Sequence, residues 1–179
     1  MFLQGVIEQT KKMCKMQIAN ALTLTNISLG AFAIIYAFKG NPRLSLLLIF
    51  IAALADRLDG MAARKFNSTS ELGKQLDSMS DIVSFGIAPA LLLYQGIASS
   101  IGTPGTFFIV LYIVSGAFRL ARFNITESNG YFTGLPITAA GCILTFSYLG
   151  INIIPPHAYL ILMLLLSILM IGNFKWKKI

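Results

Sequence analysis

The chain has 179 residues, 56% hydrophobic and only 12% charged, against about 25% charged in an ordinary soluble domain. A mean hydropathy of +0.75 excludes a water-soluble enzyme and predicts an all-α integral membrane domain, 1–179, with roughly six spans of about 20 residues each. The net charge of +7 does not point to nucleic acid, because the basic residues cluster at the ends of apolar runs and form no stripe interleaved with aromatics.

Residues 1–16, MFLQGVIEQTKKMCKM, can place Phe2, Leu3, Val6, Ile7 and Met13 on one helical face. Lys11, Lys12 and Lys15 lie near its edge and beyond, which predicts an amphipathic helix on the membrane surface. The first apolar run is too long for a signal-peptide core and lacks a small-residue cleavage site, so no cleavable leader is expected.

A six-span core is predicted over 19–173, with spans at about 19–38, 44–65, 71–97, 105–124, 135–151 and 157–173. KFNSTSE links the second and third, and SSIGTPG is a turn signal after the third. NITESNGYFT reads as a polar loop before the fifth, with Pro136 at its first helical position. NIIPP breaks the chain before the sixth, which leaves His157 as a solvated loop histidine. Cys14 and Cys142 lack metal-ligand spacing and read as unpaired, inert thiols.

Six spans put both termini on one side. That side collects Lys11, Lys12, Lys15, Arg57, Arg64, Lys65, Lys74, Arg119, Arg122, Lys175, Lys177 and Lys178, and the other holds Lys39 and Arg43 only. The imbalance assigns the crowded side, and both termini, to the cytosol.

Five of the seven acidic residues fall between Ala55 and Ser84, and four of them are aspartates: Asp56, Asp59, Asp77 and Asp81. A charge at mid-membrane costs about 2.5–3.5 kcal/mol on the insertion scale, so four together need an offset. Asp56 and Asp59 share a face of the second span at i, i+3, and Asp77 and Asp81 share a face of the third at i, i+4. Two antiparallel neighbours can turn these faces together into a nest of carboxylates near the cytosolic end. Hard oxygen ligands suit Mg²⁺ or Mn²⁺, and four could hold two ions that clamp a phosphoryl group. Gly60 and Ala63 lie on the face of the first pair and Gly73 on that of the second. Small residues there either admit a bulky ligand or pack helices, and Arg64 either meets a phosphate or anchors at the interface. Salt bridging to Arg57 and Arg64 cannot pair all four carboxylates. A divalent-cation transporter is the rival from another class.

The full pattern is Asp56-x₂-Asp59-Gly60-x₂-Ala63-Arg64-x₈-Gly73-x₃-Asp77-x₃-Asp81. It resembles, without a departure, the signature of the CDP-alcohol phosphotransferase family. The resemblance implies transfer of a phosphatidyl-type group from a CDP-linked lipid to a hydroxyl, with release of CMP. It implies two divalent cations on Asp56, Asp59, Asp77 and Asp81, with Asp81 as general base, and a CDP site lined by Gly60, Ala63, Arg64 and Gly73. It also implies a homodimer.

In NALTLTNISLG, Thr23, Asn26 and Gly30 share one face and resemble the family's first-helix segment, whose polar groups reach towards the nucleotide. The segments FRLARFN and YFTGLPITAAG, with the acidic stretch, look like the bacterial-type branch that uses CDP-diacylglycerol and L-serine. A serine carboxylate would suit a fork of Arg119 and Arg122 beside Asn124. A phosphorylated acceptor would want arginines too, so synthases of phosphatidylglycerol phosphate or phosphoinositide are the alternatives within the family.

Overall fold

A computed structural model describes residues 2–66, 70–125, 131–173 and 175–177, with side chains except at 2–16, 18–19, 62–66, 98–99, 131–133 and 175–177. α1 (Phe2–Phe38) and α2 (Pro42–Phe66) form a long antiparallel pair, turned by Gly40 at φ 73°. α3 (Glu71–Asp81) runs through a π turn (Ile82–Ile87) into α4 (Ala88–Ile125). α5 (Ile137–Ser147) ends in a 3-10 turn (Tyr148–Gly150), and α6 (Pro156–Ile171) comes next. α1 packs along α2 and against α3, and α4 packs on α5 and α6.

Each predicted span contains a helix, with the fifth and sixth shorter than predicted. The stretches Asn20–Phe38, Glu71–Ile97 and Ser100–Ile125 are long and apolar enough to cross a membrane, while Ile137–Gly150 and Pro156–Ile171 are apolar but shorter. α2 has 25 residues but carries Arg43, Asp56, Arg57, Asp59, Arg64 and Lys65. Phe32, Leu54, Phe107, Phe118, Ile161 and Leu165 are each more than half exposed, an outer surface suited to lipid and not to water. The interior is closed by Ile49, Phe85, Tyr112, Ile137, Leu144, Tyr159 and Met163.

The predicted turn SSIGTPG lies where the helical path breaks at Gly102, whose φ of 58° only glycine adopts freely. Four expectations are corrected. The surface helix and first span are one unbroken helix of 37 residues, about 55 Å long, so its N-terminal part extends past an apolar layer of about 30 Å. The amphipathic face over residues 2–16, and Cys14, rest on side chains outside the described residues. Pro136 is the N-cap of α5 and not its first helical residue, because its ψ of 139° is extended. His157 lies in the first turn of α6, which starts on Pro156, and is exposed there.

The last correction concerns NITESNGYFT and the tail. β1 (Tyr131–Thr133) and β2 (Lys175–Lys177) pair antiparallel, Phe132 opposite Trp176. The pairing continues into α6: Leu135 N–H donates to Leu169 O at 2.9 Å. Gly134, at φ 72°, lies so close to the end of α6 that a Cβ would stand 2.6 Å from Met170 O. The loop after α4 is thus joined to the chain's C-terminal segment.

Candidate active site

α2 and α3 bring their acidic faces together across a cavity of about 690 Å³. Asp56, Gly60, Asp77 and Asp81 line it with Phe50, Leu54, Arg57 and, from α5, Thr138 and Cys142. One carboxylate oxygen from each of Asp56, Asp77 and Asp81 lies within 4.8 Å of the others. Asp81 is 9% exposed and its Oδ1 has no hydrogen-bond partner. Three carboxylates this close repel unless a cation lies between them, and a buried oxygen without a donor is a costly group. A divalent cation removes both penalties with the oxygen ligands it prefers. The residues therefore fit a metal.

Asp59 stands apart from this trio. It is 6% exposed and accepts a hydrogen bond from the Thr23 hydroxyl of α1. Thr23 and Asn26 are both buried, and the Asn26 Oδ1 is unpartnered. α1 is also tied to α3 and the π turn: Ser80 donates to Thr23 O at 3.3 Å, and Ser84 to Asn26 O at 3.0 Å.

Gly73 sits in the first turn of α3, capped by Ser70, whose hydroxyl accepts from Gly73 N–H at 3.0 Å. A Cβ there would stand 3.3 Å from Asn20 Oδ1, so Asn20, midway along α1, is a further polar group beside the start of α3. The side chains of Ala63 and Arg64 lie outside the described residues.

The three residues expected to bind an acceptor separate. Arg119 is 7% exposed, near enough to Asp81 to act on it electrostatically, and packs its guanidinium 5.9 Å from the Phe123 ring centroid. Arg122 reaches the other way. Its guanidinium donates to Ile171 O and Asn173 Oδ1, each at 2.8 Å, capping the end of α6. Asn124 faces α3, where its Nδ2 donates to Ser78 Oγ at 2.9 Å and its carbonyl accepts from Lys74 Nζ at 2.6 Å. The spacing that put both arginines on one helical edge gave no sign that α6 would claim one of them. Thr138 and Cys142 were likewise hidden, since nothing local indicates that α5 walls the acidic cavity.

The chain matches the CDP-alcohol phosphatidyltransferase family over residues 16–176. It is 38% identical over 164 residues to a CDP-diacylglycerol–serine O-phosphatidyltransferase of Methanocaldococcus jannaschii, covering 90% of this chain and 74% of that one. A protein of the same name from Helicobacter pylori is 34% identical, covering 88% of this chain and 70% of its own. An archaetidylserine synthase of Methanothermobacter thermautotrophicus is 33% identical, covering 88% and 68%. With its acidic helices facing one cavity, the chain belongs to the CDP-alcohol phosphatidyltransferase family.

Proposed function

We propose that this chain transfers the phosphatidyl-type group of CDP-diacylglycerol to L-serine, giving phosphatidylserine and CMP. The convergence of Asp56, Asp77 and Asp81 on one cavity, in a chain of this family, carries the reading. The names of the relatives favour serine among possible acceptors, one as a CDP-diacylglycerol–serine O-phosphatidyltransferase and another as an archaetidylserine synthase.

Asp56, Asp59, Asp77 and Asp81 would hold two divalent ions, Mg²⁺ or Mn²⁺. When bound, such ions supply charge stabilisation at the pyrophosphate and the departing CMP. The serine hydroxyl oxygen bonds to the lipid-side phosphorus as the bond from that phosphorus to the bridging oxygen breaks. Asp81 takes the hydroxyl proton as general base. Thr23 fixes the Asp59 carboxylate from α1. Gly60, Ala63, Arg64 and Gly73, with Thr23 and Asn26, would form the CDP site. Arg119, which acts electrostatically on Asp81, would take the serine carboxylate in its fork. Arg122 and Asn124 hold the end of α4 against α6 and α3.

In the membrane, the chain would cross six times with both termini cytosolic, open its site to the cytosol and work as a homodimer. Twelve of its basic residues then lie on the cytosolic side.

CMP release by the purified chain in detergent or vesicles tests the reading. Release is expected with CDP-diacylglycerol, Mn²⁺ or Mg²⁺ and L-serine. It is not expected with glycerol 3-phosphate, inositol or inositol phosphate. Release with one of these instead would keep the chemistry and replace the acceptor.

A further inference from the structure

The π turn begins at Ile82, the residue after Asp81. Within it the Ala88 N–H reaches back five residues to Val83 O, not the four of an α-helix. Such a turn holds one residue more than the α-helix it interrupts. Collapse to α-helix would rotate the helix before it by about 100° and shift it by about 1.5 Å relative to the helix after it. Asp77 and Asp81 lie before it, and the apolar half buried in the core lies after it. The direction of the two carboxylates therefore depends on the turn being kept.

π turns are rare and persist where neighbours hold them. Three helices grip this one. From α1, Gly30 lies where a Cβ would be 2.8 Å from Ser84 Cα, and Asn26 O accepts the Ser84 hydroxyl. From α5, Gly141 lies where a Cβ would be 2.6 Å from Phe85 O. From α4, the fully buried Tyr112 donates its hydroxyl to that same Phe85 O at 3.0 Å.

We propose that Tyr112 is a positioning residue for the acidic site: by holding the Phe85 carbonyl it keeps the π turn, and so aims Asp77 and Asp81 at Asp56. The proposal rests on the acidic cluster binding a divalent cation and is independent of the acceptor. Tyr159 provides a matched comparison. It is 1% exposed and donates to a backbone carbonyl, Ser147 O, also at 3.0 Å, but near the start of α6, away from the Arg122 cap on the acidic side.

The test compares Tyr112→Phe with Tyr159→Phe in the full chain, reading Mn²⁺ affinity by electron paramagnetic resonance, thermal stability, and CMP release. Both variants are expected to lose similar stability. Only Tyr112→Phe should bind Mn²⁺ about tenfold more weakly and turn over about tenfold more slowly, with little change in KM. Gly141→Ala presses on Phe85 O from α5 and should also weaken Mn²⁺ binding. Equal Mn²⁺ affinity in the two tyrosine variants overturns the role of Tyr112. A wild-type chain that binds no Mn²⁺ overturns the metal reading and the proposal with it.

Discussion

Thr23 on α1 donates its hydroxyl to Asp59 on α2, and both are buried. The bond joins the first helix to the acidic one and fixes a carboxylate that sits outside the trio of Asp56, Asp77 and Asp81. Thr23→Val keeps the shape of the side chain and removes the donor. Hydrogen bonds to charged groups contribute about 1.5–3 kcal/mol, so unfolding monitored by circular dichroism should show a loss in that range. CMP release should fall about tenfold. Thr23→Ser, which keeps the hydroxyl, should retain most of both.

Arg122 and Arg119 lie one turn apart on α4 and are expected to behave differently. Arg122→Ala uncaps α6 at Ile171 O and Asn173 Oδ1 and should cost about 1–3 kcal/mol of stability. Its KM for serine should stay within about twofold of wild type. A raised KM with unchanged stability would instead make Arg122 an acceptor ligand.

Arg119→Lys keeps the charge but loses the planar fork. Steady-state kinetics should show KM for serine rising about tenfold, a loss of about 1.4 kcal/mol. Arg119→Ala should be worse. Indifference of the serine KM to both substitutions would remove Arg119 from the acceptor site.

Metal removal has a thermodynamic signature apart from catalysis. A ligand at one hundred times its Kd stabilises the folded state by about 2.7 kcal/mol. Mn²⁺ added to chelator-treated chain should raise its melting temperature, and Asp77→Asn combined with Asp81→Asn should abolish the rise. An unchanged rise in the double variant would locate the ion elsewhere.

Gly30→Ala would set a Cβ 2.8 Å from Ser84 Cα in the π turn. Overpacking of this kind costs about 1–3 kcal/mol, measurable by thermal unfolding. A stability equal to wild type would mean that α1 can move away from the turn freely.

The helices were legible in the sequence because apolar runs mark them, but not their ends: α1 begins well before its predicted span and α5 is shorter than its own. The acidic pairs were legible because i, i+3 and i, i+4 spacings fix a shared face whatever the tertiary packing. The features that escaped depend on contacts between distant segments. No local signal marks the π turn at Ile82–Ile87, which exists through Tyr112, Gly30 and Gly141. The pairing of Tyr131–Thr133 with Lys175–Lys177 joins a segment that read as a polar loop to one that read only as a basic tail. Arg122 looked equivalent to Arg119 until the end of α6 supplied it with carbonyls.

Transfer of labelled L-serine into lipid tests the central claim most directly. Purified chain in vesicles holding CDP-diacylglycerol and Mn²⁺ should form a serine-labelled phospholipid and one CMP per label, and Asp81→Asn should form neither. CMP formed without label in the lipid, or label transferred equally well by Asp81→Asn, would contradict the account.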